Sequence, residues 1–208
     1  EIALDPAATD RALGLMVELA QSEAADPAQS TSTEDTARLS FEEGNSSFML
    51  NYPFVYPSAQ ENSPEVFKNL GSALYPRVDA NEPSAPPLGG INLGVSTYSE
   101  NKEEAFEAIK CMRQPDNQIE IATAGGLPPV TESLYDQKEI DKVYPGFADQ
   151  IRQSIDAAAP RPVTPAYQDL SLAIQRSIHP LADIDDVETT VEELRDAVET
   201  ALNREGLL

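Results

Sequence analysis

Cysteine and histidine are nearly absent: Cys111 and His179 are the only residues of either type in the 208-residue chain. A lone cysteine excludes an internal disulfide framework, and one histidine beside it cannot build a Cys/His zinc cluster. The counts leave a Cys–His nucleophilic pair open. Cys111, however, falls in a helical run and His179 precedes Pro180 at a helix end, with no supporting motif around either. Burial or capping is the expectation for both. Basic residues are scarce, 14 Lys and Arg against 36 Asp and Glu, for a net charge of −22. A chain so acidic does not hold nucleic acid or an anionic membrane through its general surface. A cation-attracting surface is one reading of the charge; a solvated acidic exterior is the one preferred. No apolar run approaches the length of a membrane span.

Catalytic patterns are missing as well. Asp183, Asp185 and Asp186 look like half a calcium loop, without its glycine or its distal bidentate glutamate, and are expected to supply charge at a helix N-terminus. Glu42 and Glu43 are adjacent, so on a helix they point apart and cannot face each other across a glycosidic bond. Gly89-Gly90 and Gly125-Gly126 fit neither nucleotide-binding glycine pattern. No Ser-His-Asp arrangement occurs. The expectation is a protein with no cofactor, no metal and no enzymatic activity.

What is present is an ordinary apolar content, enough for a core in one large or two small domains. Asp5-Pro6 opens a first helix with a stripe of Leu13, Met16, Val17 and Ala20. A polar loop over 23–33 follows, and Thr33 caps a second helix that stops before Gly44. Then comes the stretch FEEGNSSFMLNYPFVYP, Phe41 to Pro57. It reads as a helix end, a turn at Gly44, a short strand Phe48-Met49-Leu50, and three aromatics spaced by two. On an extended segment kept out of helix by Pro53 and Pro57, Tyr52, Phe54 and Tyr56 share one side. Such a row of rings suits stacking against the C–H face of a sugar; filling a core is the alternative.

A short helix begins at Ser63-Pro64, and residues 74–88 form a proline-rich connector. Gly89-Gly90 precedes a strand-like alternation over Ile91–Ser96. Next comes a helix capped by Ser99 or Asn101, with Ala105, Phe106, Ala108, Ile109 and Met112 as its apolar positions, and another over 116–124. Toward the end, Leu170, Ile174 and Ile178 mark an amphipathic helix, and Thr190-Val191-Glu192-Glu193 is a capping box for the last one. Gly89 and Gly90 suit either a turn or a backbone that approaches a ligand closely. Arg161, set between prolines, suits either a surface ion pair or a fork of donors toward hydroxyls.

Three segments resemble, in order, the bacterial extracellular solute-binding proteins of family 1, the sugar-capturing subunits of ABC importers. Gly44-Asn45-Ser46-Ser47-Phe48-Met49-Leu50-Asn51-Tyr52-Pro53 is similar to a family segment that ends Asn-Trp-Pro, with Tyr52 in place of tryptophan. The run Gly89–Ser96 with Asn101–Ile109, and then Ala122–Pro129, resembles the family's Gly-Gly strand, helix and Gly-x-Leu-Pro element. Arg161-Pro162-Val163-Thr164-Pro165-Ala166-Tyr167 resembles its Arg-Pro lead into the penultimate helix. The resemblance implies an α/β, two-lobed, periplasmic-binding-protein-like fold, of which this chain supplies the later part. Residues 1–75 and 127–208 would belong to the C-terminal lobe, and 76–126 would be the crossing connector and a segment of the N-terminal lobe.

The implied function is binding of a trehalose- or maltose-like sugar outside the cytoplasmic membrane, for delivery to the importer's permease subunits. Tyr52, Phe54 and Tyr56 would stack the sugar, while Gly89, Gly90 and Arg161 would bond its hydroxyls. A lipid anchor and the opening strands of the fold would lie on an upstream half of the same protein, since Glu1 starts no targeting pattern and the chain is expected to be cut from something longer. The competing expectation is an acidic helical interaction domain with no small-molecule site. Exposed rings beside Gly89 and Arg161 would argue against it; burial of all three rings would favour it.

Overall fold

A computed structural model describes residues 2, 4–77 and 80–203; Val78 and Asp79 of the expected connector lie outside the described residues. The helices, in chain order, are α1 (Pro6–Ala20), α2 (Glu34–Glu42), α3 (Val55–Asn62), α4 (Pro64–Phe67) and α5 (Lys102–Met112). They continue with α6 (Pro115–Gly125), α7 (Lys138–Val143), α8 (Ala148–Ala157), α9 (Tyr167–Ile178) and α10 (Val187–Asn203). The chain divides into two units, Glu1–Thr33 with Pro162–Leu208, and Glu34–Arg161.

In the first unit α1 starts as its sequence dictates: Pro6 takes the first helical position and the Asp5 carboxylate accepts the Ala8 N–H at 2.8 Å. Helix α10 contributes Val191, Leu194, Val198 and Ala201, one face at helical spacing. Leu170 and Ala173 of α9 pack against Leu194, Val198 and Ala201, and Leu13 and Val17 of α1 pack against Val191. Gln21, at the end of α1, donates to the carbonyls of Ile184 at 2.9 Å and Ala182 at 3.3 Å. His179 caps the C-terminus of α9, as expected, and its Nε2 lies 2.8 Å from the Ser30 carbonyl oxygen. The last helix begins earlier than the expected capping box at Thr190. Asp186 caps it, taking the Thr189 N–H at 3.1 Å on its carboxylate, and this bonding lowers the Asp186 pKa. Of the three acidic residues expected to serve a helix N-terminus, Asp186 does so. Cys111, expected to be buried or to cap, is exposed at the end of α5.

The second unit is centred on Ala122, Tyr135, Ile140, Tyr144, Ala148 and Ile151, contributed by α6, α7, α8 and the turn between Glu132 and Asp136. Gly126 closes α6 in a left-handed conformation, φ 64°, where a side chain would also collide with Pro57 Cγ at 2.5 Å. Two buried phenols tie down the turn after it. Tyr144 donates to the Gly126 carbonyl at 2.5 Å and Tyr135 to the Pro129 carbonyl at 2.8 Å. Burial raises both phenol pKa values, Tyr135 to about 12, and the Tyr135 phenol adds to the rise at Tyr144. The side chain of Gln118 is satisfied on every side, donating to Arg113 O and Thr131 Oγ1 and accepting the Val130 N–H.

Two sequence expectations fail here for the same physical reason. Phe48–Leu50 and Ile91–Ser96 read as strands, yet among the described residues neither forms a ladder. A strand exists by pairing, and both segments stand without a partner: Phe48 is 94% and Ile91 77% exposed. Helix α5 has no buried residue, and Phe106 on its expected apolar face is 55% exposed.

Candidate functional site

The Phe41–Pro57 stretch does not run extended. After Tyr52 the chain turns at Pro53-Phe54 and enters α3 at Val55. Pro57 is the third helical residue, within the first turn, where backbone N–H groups have no helical partner and proline removes nothing. The two-residue alternation that would align three rings therefore lapses after Tyr52. Tyr56 faces inward: its ring meets Phe67 edge-on at 5.1 Å and Phe147 at 5.3 Å, with Tyr144 at 6.4 Å. Its hydroxyl donates to the Pro145 carbonyl at 3.3 Å, and burial raises its pKa. Phe54 is half-buried at the N-cap of α3. The structure thus separates the three rings and leaves only Tyr52 open, 45% exposed.

Tyr52 is held where its neighbours put it. The Asn51 side chain accepts the Tyr52 N–H at 2.8 Å and donates to the Glu34 carbonyl, at the start of α2, at 2.9 Å. Helices α2 and α3 are themselves locked together by a group that sequence reading discarded as half a glycosidase pair. Glu42, only 8% exposed, takes Arg38 Nη1 at 2.8 Å and Ser58 Oγ at 2.7 Å. Its backbone carbonyl takes Ser63 Oγ at 2.6 Å. Every oxygen is satisfied, so Glu42 is structural. The signal that would have found this is the i, i+4 spacing of Arg38 and Glu42.

The ring of Tyr52 lies against Gly89. A Cβ added to Gly89 would stand 3.1 Å from Tyr52 Cε1 and 3.3 Å from its hydroxyl oxygen. Just before Gly89, Pro87 forms a parallel bridge with Ala159. The Leu88 N–H donates to the Ala159 carbonyl and the Ala159 N–H to the Pro86 carbonyl, both at 2.9 Å. A parallel bridge uses the groups flanking Pro87, so its missing N–H costs nothing. The bridge is isolated, and Gly89 and Arg161 each follow it by two residues in the chain. Arg161 is exposed and makes no ion pair among the described residues. Gly90 has a φ of 158° and open space around it.

The structure therefore brings Tyr52 against Gly89, packs Tyr56 against the core, and leaves Arg161 two residues past the bridge at Ala159. An open aromatic face resting on bare backbone can stack an uncharged ring, and an exposed guanidinium can bond hydroxyls. Among the described residues no group of three or more His, Cys, Asp or Glu side chains is placed to hold a metal ion.

A family model described as bacterial extracellular solute-binding protein matches residues 2–149. The chain is 32% identical over 141 residues to a probable ABC transporter-binding protein of Deinococcus radiodurans, a match covering 68% of this chain and 33% of that protein. Among solved structures it is similar to maltose-bound MalE3 of T. maritima, with a TM-score of 0.81 and 25% identity, over 91% of this chain and 49% of that one. The chain thus spans about a third of the length of the first and about half of the second.

Proposed function

The chain belongs to the bacterial extracellular solute-binding proteins, with the fold of part of a periplasmic-binding-protein-like molecule, and we propose that it carries part of a sugar site serving an ABC importer. In this reading Tyr52 stacks the sugar ring, and Gly89, Gly90 and Arg161 address its hydroxyls. No bond is made or broken. The ligand is a disaccharide or short oligosaccharide of the maltose or trehalose kind, captured outside the cytoplasmic membrane and passed to the permease subunits. A lipid anchor is part of the same proposal.

The observation that carries it is the half-exposed Tyr52 ring resting on Gly89, two residues past the bridge between Pro87 and Ala159. It favours a sugar site over an acidic interaction domain, in which all three rings would be buried. The similarity to a maltose-bound structure supports the choice of ligand. The unpaired segments Phe48–Leu50 and Ile91–Ser96, and the bare face of α5, are read as surfaces covered by an upstream half of the same protein. The division into lobes at 75 and 126 belongs to that reading.

A micromolar site requires about −8 kcal/mol. Hydrogen bonds to a charged group contribute about 1.5–3 kcal/mol each, so one stacked ring and the Arg161 fork supply much of it before the cost of immobilising the ligand. Calorimetric titration of the full-length protein with maltose, trehalose and other disaccharides tests the proposal. Saturable heat with one of them is expected; a flat trace for every sugar would refute it.

A further inference from the structure

Gly89 and Gly90 are adjacent, yet the structure favours glycine at them for different reasons. At Gly90 the reason is conformational: φ is 158°, a backbone L side chains rarely adopt, and nothing stands within 4 Å of an added Cβ. Gly89 has no positive φ among the glycines that show one. Its backbone would accept a side chain; its surroundings would do so only if the Tyr52 ring gave way by a few tenths of an ångström. An added Cβ would meet the Tyr52 ring at three atoms, Cε1 at 3.1 Å, the hydroxyl oxygen at 3.3 Å and Cζ at 3.6 Å.

We infer that Gly89 is a positioning residue for Tyr52: the bare Cα is the seat on which the phenol end of the ring rests, and it sets the face Tyr52 presents. This rests on the sugar-site reading above, and changes the part Gly89 plays in it from a donor of backbone hydrogen bonds to the support of the stacking ring. The root of the same side chain is fixed by Asn51, which takes the Tyr52 N–H at 2.8 Å and anchors on the Glu34 carbonyl at 2.9 Å. With root and tip both held, a ring that is 45% exposed keeps its orientation before a ligand arrives. Binding then forfeits little side-chain freedom. Gly89→Ala turns the ring away without unfolding anything, because the far end of an exposed side chain yields more readily than backbone.

The test uses the full-length protein labelled with 3-fluorotyrosine, the Tyr52 resonance being assigned by its loss in Tyr52→Phe. Gly89→Ala should move that fluorine resonance while leaving the midpoint of thermal unfolding where it was. Affinity for the tightest-binding disaccharide among maltose and trehalose should fall about tenfold, equivalent to about 1.4 kcal/mol. In a Tyr52→Ala background, Gly89→Ala should cause no further loss. An unmoved resonance, or an equal loss of affinity in the Tyr52→Ala background, would overturn the inference. Failure of the unaltered protein to bind any of the disaccharides titrated would refute the sugar reading instead, and the fluorine shift would still decide whether Gly89 seats the ring.

Discussion

Tyr52 and Tyr56 are near neighbours in the chain and end in opposite surroundings. Nothing in their side chains distinguishes them; the turn at Pro53-Phe54 does, by replacing a strand's alternation with the start of a helix. Proline reads in sequence as a helix breaker, but in a first turn it breaks nothing, and Pro57 occupies that place. Tyr52, Gly89 and Arg161 were therefore legible as candidates through the resemblance. The removal of Tyr56 to an aromatic core was not. Its role there has a measurable consequence. Tyr56→Ala should lower the free energy of unfolding in denaturant by about 2–3 kcal/mol, less than the loss at a fully buried aromatic because the ring is only half-buried. Arg161→Ala should leave stability alone, since that side chain is exposed, and should cost about 1.5–3 kcal/mol of sugar affinity by calorimetry. An unchanged titration would reduce Arg161 to a surface charge.

Helices were read more faithfully than strands. The Asp5-Pro6 start of α1 and the helix expected over 116–124 rest on local signals, and each is where the sequence put it. The start of α10 was misplaced because Asp186 and Thr190 are both good caps; Asp186 wins by taking the Thr189 N–H. Strands depend on partners that local pattern cannot name, and Ile91–Ser96 alternates correctly without pairing among the described residues. The turn that follows α6 also makes a statement about pH. Tyr135 and Tyr144 hold its carbonyls as neutral phenols, with folded pKa values raised above the ordinary 10.0, to about 12 at Tyr135. A raised phenol pKa stabilises the fold fully below the unfolded value and loses that contribution as pH rises through the folded one. Stability followed by circular dichroism should hold up to about pH 10 and decline toward pH 12. Tyr135→Phe should flatten that decline; an equally steep loss in the variant would assign it to other groups.

For the molecule as a whole, family membership and fold rest on agreement between ordered sequence motifs, a family match over residues 2–149 and a structural likeness at a TM-score of 0.81. Much of this was open to sequence reading because glycine pairs, an Asn-aromatic-Pro corner and an Arg-Pro lead are backbone devices, fixed by what each residue type permits. Side-chain chemistry was harder to read, since it depends on which surfaces meet. Phe48, Ile91 and Phe106 lie bare in the described structure, and the proposed upstream half would have to cover them. The central claim, that Tyr52 is the stacking platform of a sugar site, is tested most directly by titrating maltose and trehalose into the full-length protein and its Tyr52→Ala variant side by side. The account predicts saturable binding of one sugar by the unaltered protein, a loss of about tenfold or more in the variant, the scale of about 1.4 kcal/mol, and equal thermal unfolding for both. Equal affinity in the two proteins would contradict it.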